Sequence, residues 1–460
     1  MPEFDPFQEE ASETEVIALN ATAEYPRPAG AKPNHAPLAL RKNFSWVLVG
    51  TMLYAVCNWA MTIALAKMGT TKEVGYYQAG VAITQPIILA AMLQLRSVML
   101  TDHSDKHRYG QYLGLRIVTS VLALAIMIGV ALTYSDRITT WVVIVTGIGV
   151  CWDAISDILY GFVQRYQRMD RMGASLLIKG FLSIGLFIAC YLVTKNVIFA
   201  VLGSAFGSLL TVCFWDIPTT ISLARALKHS GKQGPMLQLR PTFEPKALWE
   251  LTCISFALGC TIVLVTFNTY LTRYFVFGEL GVASMGIYSS LAQLVNVVGT
   301  MVMSLVTAAV PPMTEKFRDG DRKGFLNLFN KCMLVAGALG AGALLVSVFL
   351  GHFVLLHLFK PVYAQHTSLF VWIMVVGCIF YISWPITNAL TVFRAFKIQL
   401  WTAVASLVAS LGAAYVLVPR FGLLGAAWAF LASMLVRLLF SAWAFAVEMK
   451  RNFPDLPALT

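Results

Sequence analysis

From Phe44 onward, long apolar segments alternate with short polar loops along almost the whole chain. The apolar residues form continuous runs rather than stripes with a period of 3.6 or 2, and such runs are typical of helices surrounded by lipid. Since about 20 residues of helix cross the hydrocarbon core, the pattern predicts about twelve transmembrane helices. Their predicted ranges are 44–66, 74–99, 111–134, 138–160, 172–194, 197–223, 247–273, 282–310, 325–350, 368–393, 398–418 and 422–447.

The two ends of the chain and one internal loop differ from these segments in composition. Residues 1–40 are rich in glutamate and proline and contain no apolar run, which predicts a disordered tail rather than a signal peptide. The longest internal loop is basic and divides the helices into six and six. We therefore predict a cytosolic tail at 1–40, six-helix bundles at 41–223 and 247–450, a basic cytosolic linker at 224–246 and a second cytosolic tail at 451–460.

Lysine and arginine are concentrated in alternate loops. The linker and the loops near 102–110, 165–171 and 316–323 carry most of them, whereas the intervening loops carry few. Because cytosolic loops are enriched in these residues, the distribution predicts that the linker and both termini are cytosolic.

Composition supports the membrane assignment. Hydrophobic residues make up 58% of the 460 residues and charged residues only 12%, with a mean hydropathy of +0.71. A soluble chain carries about twice that share of charge, so we predict no sizeable soluble domain. The net charge of +11 then reflects membrane orientation rather than nucleic-acid binding.

Motifs of enzyme chemistry are absent from the sequence. It contains no GxxxxGK[ST], HExxH or GxSxG pattern, and its eight cysteines form no CxxC pair. We therefore predict no catalytic residue, no metal centre, no cofactor and no disulfide, in a protein that is not an enzyme.

The two halves of the chain resemble each other. Residues 75–77 (GYY) recur as 286–288 (GIY), and residues 199–206 (FAVLGSAF) recur as 421–428 (FGLLGAAW). Both pairs join helices of the same predicted orientation. Such parallel repeats indicate two pseudo-symmetric six-helix bundles around a central cavity.

Arginines within the apolar segments are the first candidate site residues, because an ionised side chain near mid-membrane costs about 2.5–3.5 kcal/mol. Arg437 lies about 15 Å from either end of its apolar run, too deep to reach the headgroups comfortably. Either it binds an anionic substrate in the cavity, or it pairs with Asp216 of the repeat-related helix. Arg96 and Arg116 are near the cytosolic ends of their helices, where either substrate binding or snorkelling to headgroups explains them.

Acidic residues form a second group of candidates. Asp153 and Asp157 are one turn apart and share a face of the fourth helix, while Lys179 is at a similar depth in the fifth. With Asp216, these residues are either a site for a coupling ion or a structural charge network.

Amide side chains complete the candidate site. Gln85, Asn268 and Asn296 lie within apolar segments, and the repeat places Gln85 and Asn296 at corresponding positions. Amides in a cavity suit sugar hydroxyls, although interhelical hydrogen bonds use the same residue types.

Short motifs spread over residues 41–450 resemble one known family. They are residues 75–87, 93–96 (LQLR), 101–102 (TD), 112–116 (YLGLR), 363–364 (YA) and 421–428. In these motifs and in layout the chain resembles the Wzx-type polysaccharide-unit (oligosaccharide) flippases of the multidrug/oligosaccharidyl-lipid/polysaccharide (MOP) exporter superfamily.

That resemblance implies an all-α, MATE-like membrane fold and a transport function. The implied substrate is an oligosaccharide on undecaprenyl pyrophosphate, moved by alternating access across the bacterial inner membrane for surface polysaccharide synthesis. Arg96 and Arg116 stand in the LQLR and LGLR strings, which implies a substrate role for both. Polysaccharide polymerase and glycosyltransferases are the implied protein partners.

Other functions remain open on the sequence. A MATE-type multidrug or cation antiporter would use the acidic residues, and a peptidoglycan-precursor flippase belongs to the same superfamily. A major-facilitator transporter would carry a glycine–arginine pattern between helices two and three, which residues 101–106 lack. A membrane scaffold would need its buried charges only for packing.

Overall fold

The computed structural model describes residues 40–102, 106–231 and 234–453, and the regular structure within these ranges is helical. Most of the predicted tails at 1–40 and 451–460 therefore lies outside the described residues. The first six membrane helices are α1 (Leu40–Met68), α2 (Thr71–Thr101), α3 (Tyr109–Ala131), α4 (Arg137–Arg165), α5 (Met169–Thr194) and α6 (Val197–His229).

The segment Pro245–Arg318 contains two helices that reverse direction at Gly281. Thr272 and Tyr288 are 16 residues apart, and a straight helix would separate them by about 24 Å, yet their hydroxyls are 3.3 Å apart. Gly281 has φ of 81°, a conformation that glycine adopts without the steric cost of a side chain. We therefore describe α7 as residues 245–280 and α8 as residues 282–318.

The segment Phe396–Asn452 reverses in the same way at Gly422, which has φ of 59°. The hydroxyls of Ser406 and Ser433 are 2.9 Å apart, although 27 residues of straight helix would separate them by about 40 Å. This gives α9 (Arg322–Leu358), α10 (Thr367–Val392), α11 (396–421) and α12 (423–452). The described residues thus form twelve helices that are long and apolar enough to cross a membrane, as predicted.

Two helices contain local irregularities next to charged residues. In α2, Leu93 and Gln94 both have φ near 50°, and the chain then continues as the short helix Leu95–Thr101. In α6, a π-helical turn spans Val212–Asp216. Such turns often occur at functional positions.

The two bundles share one core at one end of the molecule and separate towards the other. We call the end that carries residues 230–244 and the loops near 102–108, 166–168, 319–321 and 393–395 the linker end, and the opposite one the far end. At the far end, a single apolar cluster includes Leu65 and Val74 of the first bundle together with Met285 and Tyr363 of the second. At the linker end each bundle has its own cluster, with the first turns of α7 packed on the N-terminal one. The two bundles therefore share a core at the far end and have separate cores at the linker end.

Glycines of the repeated motif make the far-end contact possible. A Cβ on Gly75 of α2 would lie 1.9 Å from the carbonyl oxygen of Val282, and a Cβ on Gly286 of α8 would lie 2.3 Å from that of Thr71. Backbone therefore packs directly on backbone where α2 crosses α8. Nearby, the amino group of Lys360 donates to the carbonyl of Gly69.

Replacing Gly75 with valine is expected to destabilise this closed arrangement. Overpacking costs about 1–3 kcal/mol, so the purified variant should unfold at a lower temperature in detergent. Gly129→Val is the matched control, because a Cβ on Gly129 meets nothing within 4 Å. Equal melting temperatures for the two variants would contradict the proposed contact.

Candidate functional site

One face of α4 carries a row of polar side chains within the membrane. Asp153, Ser156, Asp157, Tyr160 and Gln164 follow the pattern i, i+3, i+4, i+7 and i+11, so they lie on the same side of the helix. Their hydrogen bonds reach α1, α2, α3, α5 and α6. The N-terminal bundle is therefore organised around a polar row on α4.

Asp157 joins the two arginines of the family-like strings. Its carboxylate oxygens lie 3.3 Å from Nη1 of Arg96 and 3.1 Å from Nη2 of Arg116. The Arg116 side chain is fully buried, and its Nε and Nη1 have no hydrogen-bond partner among the described residues. This cluster therefore has two guanidinium groups for one carboxylate. Snorkelling does not explain Arg116, which is enclosed by protein.

The break in α2 brings Arg96 to α4. Arg96 follows the left-handed residues Leu93 and Gln94 and lies in the first turn of the short helix Leu95–Thr101. Gly161 of α4 leaves room for it, because a Cβ there would lie 3.2 Å from Cγ of Arg96. The guanidinium then donates through Nε to Gln164 at 3.0 Å.

Lys179 of α5 is the centre of a second group of charges. Its side chain is 2% exposed, and its ammonium group donates to Asp153 at 2.9 Å and to the hydroxyl of Ser156 at 2.8 Å. Ser156 donates in turn to Asp216 at 2.6 Å, and Ser175 donates to the same carboxylate at 2.5 Å. All four acidic and basic residues predicted as an ion-coupling or structural network thus lie around α4.

Asp216 does not pair with Arg437. Its carboxylate is buried on the π-helical turn of α6 and accepts hydrogen bonds from Ser156 and Ser175. The predicted alternative of an Asp216–Arg437 ion pair between the two bundles is therefore wrong.

Arg437 occupies a different environment from the other intramembrane arginines. It follows Ser433 and precedes Ser441 by one turn each, and both serines are buried, so this face of α12 points towards protein rather than lipid. Arg437 itself is half-buried. Among the residues that the structure describes, it has no hydrogen bond or ion pair. A guanidinium with accessible surface on an inward face is suited to an anionic ligand in the space between the helices.

The three predicted amides differ in their surroundings. Gln85 is half-buried and Asn296 is exposed. Asn268 is buried, and its amide nitrogen donates to Ser406 at 3.0 Å and Ser433 at 3.1 Å. Asn268 therefore links α7, α11 and α12 and fixes the turn of α12 that precedes Arg437.

Several residues of the network are visible in the structure but were not predicted from the sequence. Ser156, Tyr160 and Gln164 continue the spacing of Asp153 and Asp157 along α4, which is the sequence signal that identifies them. Ser175 carries no comparable signal, because a serine in an apolar helix usually bonds to its own backbone.

Comparison with known proteins gives one sequence relative and a consistent set of folds. No family model matches the chain. It is 24% identical over 403 residues to the capsular polysaccharide biosynthesis protein CapF of Staphylococcus aureus, covering 86% of this chain and 97% of that protein.

Solved structures match at low sequence identity but over most of both chains. The lipid II flippase MurJ in an inward closed conformation has a TM-score of 0.67, with 12% identity and 89% of each chain covered. An inward-facing MATE multidrug transporter of the MOP superfamily has a TM-score of 0.65, with 10% identity over 88% of this chain and 98% of that one. A MOP superfamily transporter of Pyrococcus furiosus has a TM-score of 0.61, with 12% identity over 90% of this chain and 95% of that one.

The fold is that of the MOP-superfamily transporters. It is an all-helical membrane fold, as the sequence predicted. Arg437 belongs to the second bundle, and the Asp157 and Lys179 clusters belong to the first.

Proposed function

We propose that the protein is a flippase for oligosaccharide repeat units linked to undecaprenyl pyrophosphate. It moves them from the cytosolic to the periplasmic leaflet of the bacterial inner membrane for surface polysaccharide synthesis. The observation that carries this proposal is the Arg437 guanidinium, half-buried on an inward face and without a partner among the described residues. A pyrophosphate head entering the membrane needs such a partly desolvated cation, because an unpaired anion there would be costly.

The charges around the cavity favour an anion over a cation. In the first bundle, Arg96, Arg116 and Lys179 balance Asp153, Asp157 and Asp216. Arg437 adds a positive charge to this balanced set. A multidrug antiporter for cationic substrates would need unbalanced acidic groups instead, and each of the three carboxylates has a hydrogen-bonding partner.

The relation to CapF supports the saccharide part of the substrate. CapF is named for capsular polysaccharide biosynthesis, and the similarity extends over almost its whole length. Gln85 and Asn296, which have accessible side chains, are proposed to contact sugar hydroxyls. Polysaccharide polymerase and glycosyltransferases are proposed neighbours, since they would use the flipped unit or supply it.

Alternating access is the proposed mechanism. The linker end, with its excess of lysine and arginine, is assigned to the cytosol. With the bundles joined at the far end, the cavity is open to the leaflet in which the lipid-linked unit is made. Separation of the α2–α8 contact at Gly75 and Gly286 would then open the cavity to the periplasm.

A deletion strain tests this function. Its lipids should contain saccharides on undecaprenyl pyrophosphate that accumulate in the cytosolic leaflet, and its surface polymer should be lost. Complementation with the wild-type gene should reverse both effects. Intact polymer without such an accumulation would contradict the flippase function, and increased sensitivity to cationic drugs would then favour the antiporter.

A further inference from the structure

One side of α10 changes from buried to partly exposed about halfway along the helix. Phe370 and Ile373, in the half nearer the far end, are buried. Phe380, Trp384 and Asn388 continue the same spacing of three or four residues towards the linker end, and all three are partly exposed. We call these three residues the α10 face. The side chains on this side of the helix thus leave a packed environment at Phe380 and border open space beyond it.

Contacts with two neighbouring helices place the α10 face inside the protein. A Cβ on Gly377 would lie 3.1 Å from the side chain of Val295 on α8. Gln399 of α11 donates to the hydroxyl of Thr391 at 3.1 Å. Trp384 is seven residues from both Gly377 and Thr391, so it lies on the same side of α10, between these two contacts. The α10 face is therefore turned towards other helices of the chain.

The neighbouring helix α8 adds an exposed amide to this space. A Cβ on Gly299 of α8 would lie 3.6 Å from the Phe380 ring, and Asn296, one turn before Gly299, is exposed. One further turn back, Gln293 accepts a hydrogen bond of 3.4 Å from Gln78 of the first bundle. Asn296 therefore lies where α8 separates from the first bundle, on the side of α8 that leads to the α10 face.

The α10 face combines aromatic rings with uncharged polar groups. The ring centroids of Phe380 and Trp384 are 5.8 Å apart, and residues 380–391 include no charged side chain. The indole N–H of Trp384 is buried and has no hydrogen-bond partner among the residues that the structure describes. Flat apolar rings beside amides and a donor without an acceptor suit a sugar, because a sugar ring has apolar C–H faces and hydroxyl groups that form hydrogen bonds.

From this arrangement we propose that the α10 face, together with Asn296, is the subsite that binds an uncharged sugar ring of the transported saccharide. Phe380 and Trp384 contact the C–H face of the ring, and Asn296 and Asn388 form hydrogen bonds with its hydroxyls. The subsite rests on the proposed function, to which it adds the recognition of the sugar. Asn296 and Arg437 each lie 14 residues after the first residue of their helices at the far end, which is about 21 Å along each helix. The sugar and the pyrophosphate would therefore be bound at a similar depth.

Replacing Trp384 with leucine tests this subsite, because leucine keeps an apolar side chain but removes the ring. Binding to the purified full-length protein is measured with two lipids, undecaprenyl pyrophosphate carrying the saccharide isolated from the deletion strain and bare undecaprenyl pyrophosphate. In Trp384→Leu the affinity for the saccharide-bearing lipid is expected to fall about tenfold, whereas the affinity for the bare lipid should not change. Trp384→Phe keeps a ring and should retain most of the affinity.

A second tryptophan of α10 provides the matched control. The Trp372 ring contacts Trp428 of α12 and lies outside the α10 face, so Trp372→Leu should bind both lipids as the wild type does. Asn296→Ala removes an exposed side chain that packing does not require, and it should weaken binding of the saccharide-bearing lipid alone, about fivefold. Melting temperatures are measured for every variant, and Asn296→Ala decides if Trp384→Leu does not fold. An equal loss for both lipids, or no loss for either, would overturn the subsite.

The outcomes also separate this subsite from the proposed function. A wild-type protein that flips the saccharide-bearing lipid but binds it no more tightly than the bare lipid would overturn the subsite and leave the flippase function standing. Binding of the free saccharide that depends on Trp384, in a protein that does not bind undecaprenyl pyrophosphate, would support the subsite and contradict the proposed substrate.

Discussion

Export of the lipid-linked saccharide is expected to stop when Arg437 is replaced by alanine, while the protein still reaches the membrane. The Arg437 guanidinium has no hydrogen bond or ion pair with the described residues, so its removal leaves no buried partner unpaired. The interaction that the variant loses is instead the one with the anionic substrate. Removing one member of a desolvated charge pair costs about 2–5 kcal/mol, which corresponds to about a thirtyfold or larger loss of affinity for undecaprenyl pyrophosphate.

Two further variants define what Arg437 contributes. Arg437→Lys keeps the charge but loses the bidentate geometry, so it should retain part of the export. Arg420→Ala removes an exposed cation from the far end of α11 and should leave export unchanged. Surface polymer and membrane protein level are measured for all three. Normal polymer with Arg437→Ala would contradict the substrate role, and loss of the protein itself would indicate a structural one.

Replacing Asp157 with asparagine is expected to give the largest loss of stability in the first bundle. Asp157 is the carboxylate between Arg96 and the fully buried Arg116. Its removal leaves a buried guanidinium without a counter-charge, and breaking such a pair costs about 3–5 kcal/mol. The melting temperature of the purified protein in detergent and its level in the membrane should both fall. Adding Arg116→Met to the same variant should restore much of the stability, because the uncompensated cation is then removed.

The control for Asp157 is an ion pair at the surface. Glu250 lies 2.8 Å from Lys106, and their side chains are 45% and 59% exposed. Glu250→Gln should leave the free energy of unfolding almost unchanged, because solvent screens such a pair. A similar small change for Asp157→Asn would show that the Asp157 cluster does not contribute to stability as argued.

The number of helices could be predicted from the sequence because apolar runs of membrane length have few alternative structures. Their ends were less predictable. The α6 helix continues to His229, into the segment predicted as linker, because its last turns are amphipathic and pack Leu223 and Leu227 on the first bundle. Likewise, α7 and α8 meet at Gly281 alone rather than through a loop from 274 to 281.

The site could be predicted in its residue types but not in its pairing. The spacing of Asp153 and Asp157 placed them on one face, whatever the fold. That Arg96 shares Asp157 with Arg116 depends on the break in α2 at Leu93 and Gln94, neither of which is a residue that usually adopts a positive φ. Asp216 accepts hydrogen bonds from Ser156 of α4 and Ser175 of α5. These contacts join residues far apart in the sequence, so no local pattern predicts them.

The most direct test of the flippase function is a leaflet assay with the purified protein. Liposomes are loaded in both leaflets with undecaprenyl pyrophosphate carrying the saccharide isolated from the deletion strain, and an impermeant glycosidase is added outside. Wild-type protein should make the whole pool accessible to the enzyme, whereas Arg437→Ala should leave the inner half protected, as in liposomes without protein. Protection of the inner half with the wild-type protein, under a pH gradient of either sign, would contradict the function proposed for this chain.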